Sequence, residues 1–252
     1  MRNIIPAVNK ESSQPYILEE TGDFSVIFKP PRMHCVSLKQ KTGESLEEWY
    51  TQSFPEAIEY GGALVHRLDF ETHGLVLFAK NKKSLEHFHA LQESGDFIKE
   101  YGAVCIKRVC SKSVNKLPGF PPPPPVFAGS PFVIESFFRP FGPGRKQVRP
   151  KIDEKHKEFA KDRGDYYRTE VISAKDNFFT LKIKRGFRHQ IRCHLSWIGF
   201  PIQNDPLYGT TPEPPEKGFL ALRAQALFFT DPKSGLKREY RIASLESEPF
   251  FV

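Results

Sequence analysis

The residues His66-Arg67-Leu68-Asp69 set an imidazole, a guanidinium and a carboxylate in a row, between the pair Gly61-Gly62 and an apolar run opening at Gly74. A carboxylate presented on a loop by rigid neighbours can serve as nucleophile or general base. The same residue type on a loop also serves as a turn or cap group, and spacing alone does not separate the two. A second set, Arg185, Arg188 and Arg192, lies at intervals of three and four around Gly186. That spacing predicts one face of a helix, with Ile191, Leu195 and Ile198 as the neighbouring apolar stripe; a solvated helix end accommodates Arg185 and Arg188 equally well. His87 with His89, and His189 with Cys193, are metal-ligand pairs without a third ligand in view, so no metal is expected. The four cysteines, Cys35, Cys105, Cys110 and Cys193, form no CxxC pair, which excludes a zinc knuckle or redox dithiol and leaves them as reduced thiols. Neither a GxSxG elbow, a phosphate-binding loop nor a dinucleotide fingerprint is present.

These groups need a scaffold, and 252 residues with 39% hydrophobic and 27% charged content have the material for one domain over 1–252 with a real core. No apolar stretch approaches the ~18 residues of a membrane helix, and the first residues lack the apolar centre of a signal peptide, so a cytoplasmic protein without membrane attachment is expected. Phe24–Lys29 reads as a strand stopped by Pro30-Pro31. Residues 43–54 space Leu46, Trp49 and Tyr50 as a helix does, and 74–80 is a continuous apolar run suited to a buried strand. Asn81 then caps a helix whose face is Leu85, Phe88 and Leu91, ending at Gly95. Residues 98–106, 166–174, 178–184 and 220–229 read as further strands, so the pattern is mixed α+β rather than regular βα alternation.

The net charge of +7 is unevenly placed: residues 101–192 hold 20 Lys and Arg against 8 Asp and Glu. Such a concentration suits a surface that meets phosphates. Within it, residues 108–166 change composition, with five prolines at 121–125, a glycine-rich turn at 142–145 and a charged segment at 151–163. This reads as an insertion, its charged part as a solvated helix, whose removal leaves a core able to fold. An arm along a polyanion, a plain surface excursion and a proline-recognition segment are all compatible with it.

The segment HRLDFETHGLVLFAKN resembles the signature of the RluA-type pseudouridine synthases, in which the Asp of HRLD is the nucleophile. FSVIFKPPRMHC, KEYGAV, GFRHQIRCHLSWIGFPIQNDPLYG and LALRAQALFFTDPKSG are similar to four further blocks of that family, in the family's order. The resemblance implies an α+β fold: a mixed, mainly antiparallel sheet in two halves, with flanking helices and a central catalytic cleft. It implies isomerisation of uridine in RNA to pseudouridine without cofactor or metal, Asp69 being the nucleophile. Tyr101 would stack on the uracil and assist proton removal, Arg192 would pair with Asp69 as its compensating cation, and Ile191 would wall the pocket. Arg67 would fill the space left by the rotated uridine, and Arg185, Arg188 and His189 would contact RNA. Partners are then ribosomal or transfer RNA, with the chain a monomer engaged in rRNA or tRNA processing and lacking an N-terminal RNA-binding appendage. Departures from the family pattern are Phe70-Glu71 after the Asp, Thr72-His73-Gly74 in place of Thr-Ser-Gly, and Phe187 in place of a residue of the commoner Gly-Arg-Thr-His-Gln-Ile-Arg. Two other readings stand beside it. One is a non-catalytic RNA-binding or RNA-chaperone protein that keeps the fold; the other is a hydrolase using a carboxylate nucleophile, which would need a second acid.

Overall fold

The computed structural model describes residues 2–4, 14–38, 43–60, 63–106, 118–125, 131–152, 166–209 and 218–243. Along the chain the strands are β1 (Arg2–Ile4), β2 (Tyr16–Glu20), β3 (Phe24–Lys29), β4 (His73–Ala79), β5 (Ile98–Val104), β6 (Phe132–Phe141), β7 (Gln147–Lys151), β8 (Tyr167–Lys175), β9 (Phe178–Ile183), β10 (Leu222–Thr230) and β11 (Lys237–Arg241). The helices are α1 (Leu46–Ser53), α2 (Lys82–Ser94) and α3 (Gln190–Trp197). The chain divides into two compact units, Met1–Tyr101 with Leu222–Phe250, and Gly102–Ala221, and β5 runs from one into the other.

In the first unit the strands lie in the order β2-β3-β4-β10, with β11 on β10 and β1 on β11. β4 pairs with β10, and β1 with β11, in parallel; the other pairings are antiparallel. β3 and β4 are buried along their whole length because both faces are covered. Phe24, Val26 and Phe28 join Leu75, Leu77 and Ala79 on the face that receives Phe88 of α2, together with Phe97, Leu227 and Phe229. Edge-on ring contacts bind this cluster, Phe24 and Phe88 each lying 5.3 Å from Phe229, and such pairs add ~0.5–1.5 kcal/mol to the burial itself. On the other face Tyr50 of α1 lies 4.3 Å from the Phe78 ring and bonds Ser25 through its hydroxyl at 3.1 Å.

Both helices begin where side chains satisfy their exposed N–H groups. Ser45 and Glu48 form a reciprocal capping box at α1, and the Asn81 carboxamide oxygen accepts from Ser84 N–H at 2.8 Å at α2. Gly95 ends α2 in the left-handed conformation, as its position after the helical face predicts. Gly74 is required for a different reason: its φ is +120°, and a Cβ there would lie 2.3 Å from the Ala224 carbonyl oxygen across the parallel pair.

In the second unit the order is β9-β8-β6-β7, all antiparallel. The stretch 108–166, read from sequence as an insertion, lies partly in this sheet: it supplies β6 and β7, and β6 pairs with β8. Phe138 and Val148 from this hairpin pack with Tyr167, Cys193 and Tyr208 in the unit's core. The Arg149 guanidinium is sandwiched by the Phe120 and Phe141 rings, at 4.4 and 4.2 Å, while its Nε donates to the Pro118 carbonyl. The proline run is docked at its start, where the Trp197 indole N–H donates to the Pro121 carbonyl at 2.9 Å. Residues 153–163 of the expected solvated helix lie outside the described residues.

α3 is buried on every side. Polar contacts fix it: His194 bonds Ser136 and Thr169 through its two ring nitrogens, at 3.0 and 2.9 Å, and the Gln190 amide donates to Thr169 and to the Arg168 carbonyl. The predicted amphipathic stripe is therefore a helix with no solvent face. Among the described residues no helix is long and apolar enough to cross a membrane.

Candidate active site

Asp69 lies in a loop that leaves the edge of β4, where Val65 N–H donates to Leu77 O and Ala79 N–H to Ala63 O. From there the backbone is held on both sides of the carboxylate. The Cys35 thiol accepts from Leu68 N–H at 3.2 Å and faces the Leu68 carbonyl at 3.4 Å. The Lys29 ammonium donates to the carbonyls of Pro30 and Met33 at 2.9 Å and of Phe70 at 3.4 Å. A turn closes behind them, Thr72 N–H donating to Asp69 O at 3.1 Å. Lys29 and Cys35 thus bracket Asp69 from the β3–α1 segment, a role that residue spacing does not reveal.

The electrostatics follow from burial. Lys29 is 0% exposed, and burial lowers its pKa to about 8 against the opposing pull of Cys35, Asp69 and Glu71. The Cys35 thiol is pushed up by burial, a shift that Lys29 and the Leu68 hydrogen bond oppose. Tyr101, buried on β5, has its hydroxyl raised well above the ordinary phenol range, chiefly by burial and further by the neighbouring Asp69 and Cys35. Tyr101 therefore stays protonated, able to donate from its hydroxyl, within electrostatic reach of the Asp69 carboxylate. Strand alternation points Lys99 to the same side of β5 as Tyr101. Burial brings Lys99 to about 8, and its charge adds to the burial that holds the His66 imidazole neutral. His66 lies 5.3 Å from the Phe97 ring, and His73 accepts from the buried Arg223 Nε at 3.1 Å, so both imidazoles are core groups.

In the first unit Tyr101 lies within electrostatic reach of Asp69, and Arg67 is exposed two residues before Asp69 on the same loop. In the second unit the expected shared face of three arginines is corrected. α3 starts only at Gln190, after His189 with φ 58°, so Arg185 and Arg188 precede the helix. Both are exposed; Arg185 lies 5.7 Å from the Tyr167 ring and Arg188 donates to the Arg145 carbonyl at 2.7 Å. Arg192 is 2% exposed, and its Nε and Nη2 donate to the two Asp205 oxygens at 2.8 and 2.7 Å. Asp205 also accepts from Leu207 and Tyr208 N–H, so a carboxylate inside the Asp-Pro-Leu-Tyr-Gly segment anchors this cation. Ile191 is buried beside it, and His189 bonds the Tyr208 hydroxyl at 3.2 Å. Phe187 stacks 4.9 Å from Phe138 at 8°, so it serves the core of this unit. Among the described residues no three His, Cys, Asp or Glu side chains gather to hold a metal; His87 instead faces the Thr230 carbonyl and Cys193 that of Val148.

A family model described as RNA pseudouridylate synthase matches residues 23–197. An uncharacterised Caenorhabditis elegans protein is 28% identical over 207 residues, covering 80% of this chain and 40% of its own length. The ribosomal large subunit pseudouridine synthase D of Yersinia pestis is 27% identical over 240 residues, covering 90% of this chain and 66% of its own. The chain thus spans from two-fifths to just under two-thirds of these curated relatives. In three dimensions it is similar to the human RNA pseudouridylate synthase domain containing 1, with a TM-score of 0.66 at 18% identity over 94% of this chain and 88% of that one, a likeness of fold.

Proposed function

The chain belongs to the RNA pseudouridylate synthase family, and from that premise we propose that it isomerises uridine to pseudouridine in structured RNA with Asp69 as nucleophile. The observation that supports this best is the bracketed loop. Lys29 and Cys35 fix the backbone on either side of Asp69, and the buried, protonated Tyr101 lies within its electrostatic reach. A nucleophile needs this preorganisation, because a carboxylate free to wander loses the entropic advantage of a held geometry.

The reaction is internally balanced. The bond from the uracil nitrogen to the sugar breaks, a ring carbon bonds to the sugar in its place, that carbon loses its proton, and the freed nitrogen takes one up. Asp69 supplies an electron pair that assists detachment, and the bond it makes breaks as the ring carbon joins the sugar, which returns the carboxylate. Tyr101 offers a ring to hold the uracil and a protonated hydroxyl that can give its proton to the freed nitrogen while the carbon's proton replaces it. We assign Arg192 to the catalytic set and Ile191 to the pocket wall, with the Arg192 charge held in register by Asp205. Arg67, Arg185, Arg188 and His189 are assigned to RNA contact, Arg67 as the side chain that occupies the place of the rotated uridine. The substrate is ribosomal or transfer RNA. Ribosomal RNA is the first to test, because the Yersinia relative is named for the large ribosomal subunit.

The test is incubation of the full chain with transcribed ribosomal and transfer RNAs, followed by mapping of pseudouridine. Wild-type protein should place it at discrete positions, and Asp69→Asn, which keeps shape and removes the charge, should place none. Pseudouridine from Asp69→Asn refutes the nucleophile; none from wild type refutes the activity.

A further inference from the structure

Immediately after Asp69, the Phe70 ring lies 4.4 Å from the His34 ring at 31°. Neither residue is buried. This separates the pair from the other close ring contacts of the first unit, in which at least one ring is buried, as Phe28 is against Tyr16 and Tyr50 against Phe54. The mount is rigid: Lys29 holds the Phe70 carbonyl, and His34 O accepts from Leu46 N–H at 2.8 Å at the start of α1. On the other flank of Asp69 stands the exposed Arg67. The loop therefore presents, in order, a cation, a carboxylate and a part-exposed aromatic pair.

We propose that the His34–Phe70 pair is a stacking platform for a nucleobase of the RNA, the base next to the target uridine. This rests on the proposed activity. Rotating a uridine out of a stack deprives its neighbour of a stacking partner. A fixed aromatic surface beside the nucleophile replaces that partner, and because every base has a π-face it does so without selecting a sequence. Two bases lose a partner when the uridine leaves: Arg67, two residues before Asp69 on the same loop, fills the gap against one of them, and the His34–Phe70 pair takes the other. The chemistry recognised is thus a planar base on a phosphodiester strand.

The probe is a nine-residue oligouridylate carrying a fluorescent label, compared with an oligomer of the same length and charge made of abasic ribose phosphates. Binding to the full chain is followed by anisotropy for wild type, Phe70→Leu and Phe70→Trp. Phe70→Leu should weaken oligouridylate binding roughly fivefold or more, while changing abasic binding less than about twofold. Phe70→Trp should restore oligouridylate binding, and its added indole fluorescence should be quenched by oligouridylate and not by the abasic oligomer. Equal loss on both oligomers, or no loss on either, overturns the platform. Because these readouts need no turnover, they stand apart from the pseudouridine assay. Absence of product there would refute the activity, whereas base-independent binding here would refute the platform.

Discussion

Replacing Asp205 by Ala tests how Arg192 is held. The Asp205 side chain is wholly buried and accepts four hydrogen bonds: Arg192 Nε and Nη2 at 2.8 and 2.7 Å, and the N–H groups of Leu207 and Tyr208 at 2.9 and 3.0 Å. Its loss leaves a 2%-exposed guanidinium without that carboxylate and two N–H groups without that acceptor. Removing one partner of a buried ion pair costs ~3–5 kcal/mol, because the remaining charge stays desolvated. The N–H bonds raise rather than lower that figure, each being worth ~0.5–1.5 kcal/mol. A chain of this size loses ~2–4 °C in melting temperature per kcal/mol, so about 4 kcal/mol corresponds to roughly 8–16 °C. Urea melts followed by circular dichroism measure it directly. Asp205→Asn keeps an acceptor for Leu207 and Tyr208 while losing the charge, and should fall between the two. The double variant Arg192→Met with Asp205→Leu should recover much of the loss, since the uncompensated charge is gone. A cost below ~1 kcal/mol for Asp205→Ala would refute the view that this pair is a desolvated anchor.

Tyr101→Phe keeps the ring and removes the hydroxyl, so turnover should fall at least tenfold on the order expected of a proton-transfer group, with RNA affinity within about twofold; equal losses in both would refute a role in the chemical step. Lys29 has a folded-state pKa of about 8 against an ordinary 10.5, so between those values the unfolded chain holds a proton the folded chain has lost. This group therefore makes stability rise with pH from about 8 upward, by about 2 kcal/mol up to pH ~9.5, and Lys29→Met should flatten the rise; identical slopes in urea melts of the two proteins would refute it. Excising residues 131–152 removes β6 and β7 and with them Phe138 and Val148, leaving Tyr167, Cys193 and Tyr208 without those core partners, so the second unit should lose its cooperative melt. A native-like transition in that deletion would mean the hairpin is dispensable.

What the chain declares locally is what local chemistry controls. β3 and β4 are legible as unbroken apolar runs because both faces are covered, and α2 is bounded by Asn81 and Gly95, whose side-chain acceptor and left-handed backbone act within one turn. β6 and β7 are not legible. Phe137 and Phe138 break the alternation, and Pro140 and Pro150 argue against a strand until the pairing shows Pro150 on the edge strand β7 and Pro140 on the part of β6 beyond its pairing with β8. The register of Gly74 on Ala224 joins residues 150 positions apart, which no local pattern encodes. The site divides in the same way. Asp69 and Tyr101 are readable from motif residues, and so is the basic block that contains Arg192. The start of α3 at Gln190, the Asp205 anchor, the Lys29 and Cys35 bracket and the His34–Phe70 stack are not, because each joins groups brought together by strand pairing and burial. Sequence by itself determined which residue types could react and the propensities of the segments beside them. Only the tertiary structure decided which charges are desolvated and which backbone groups are held, since both depend on contacts between parts of the chain far apart in sequence.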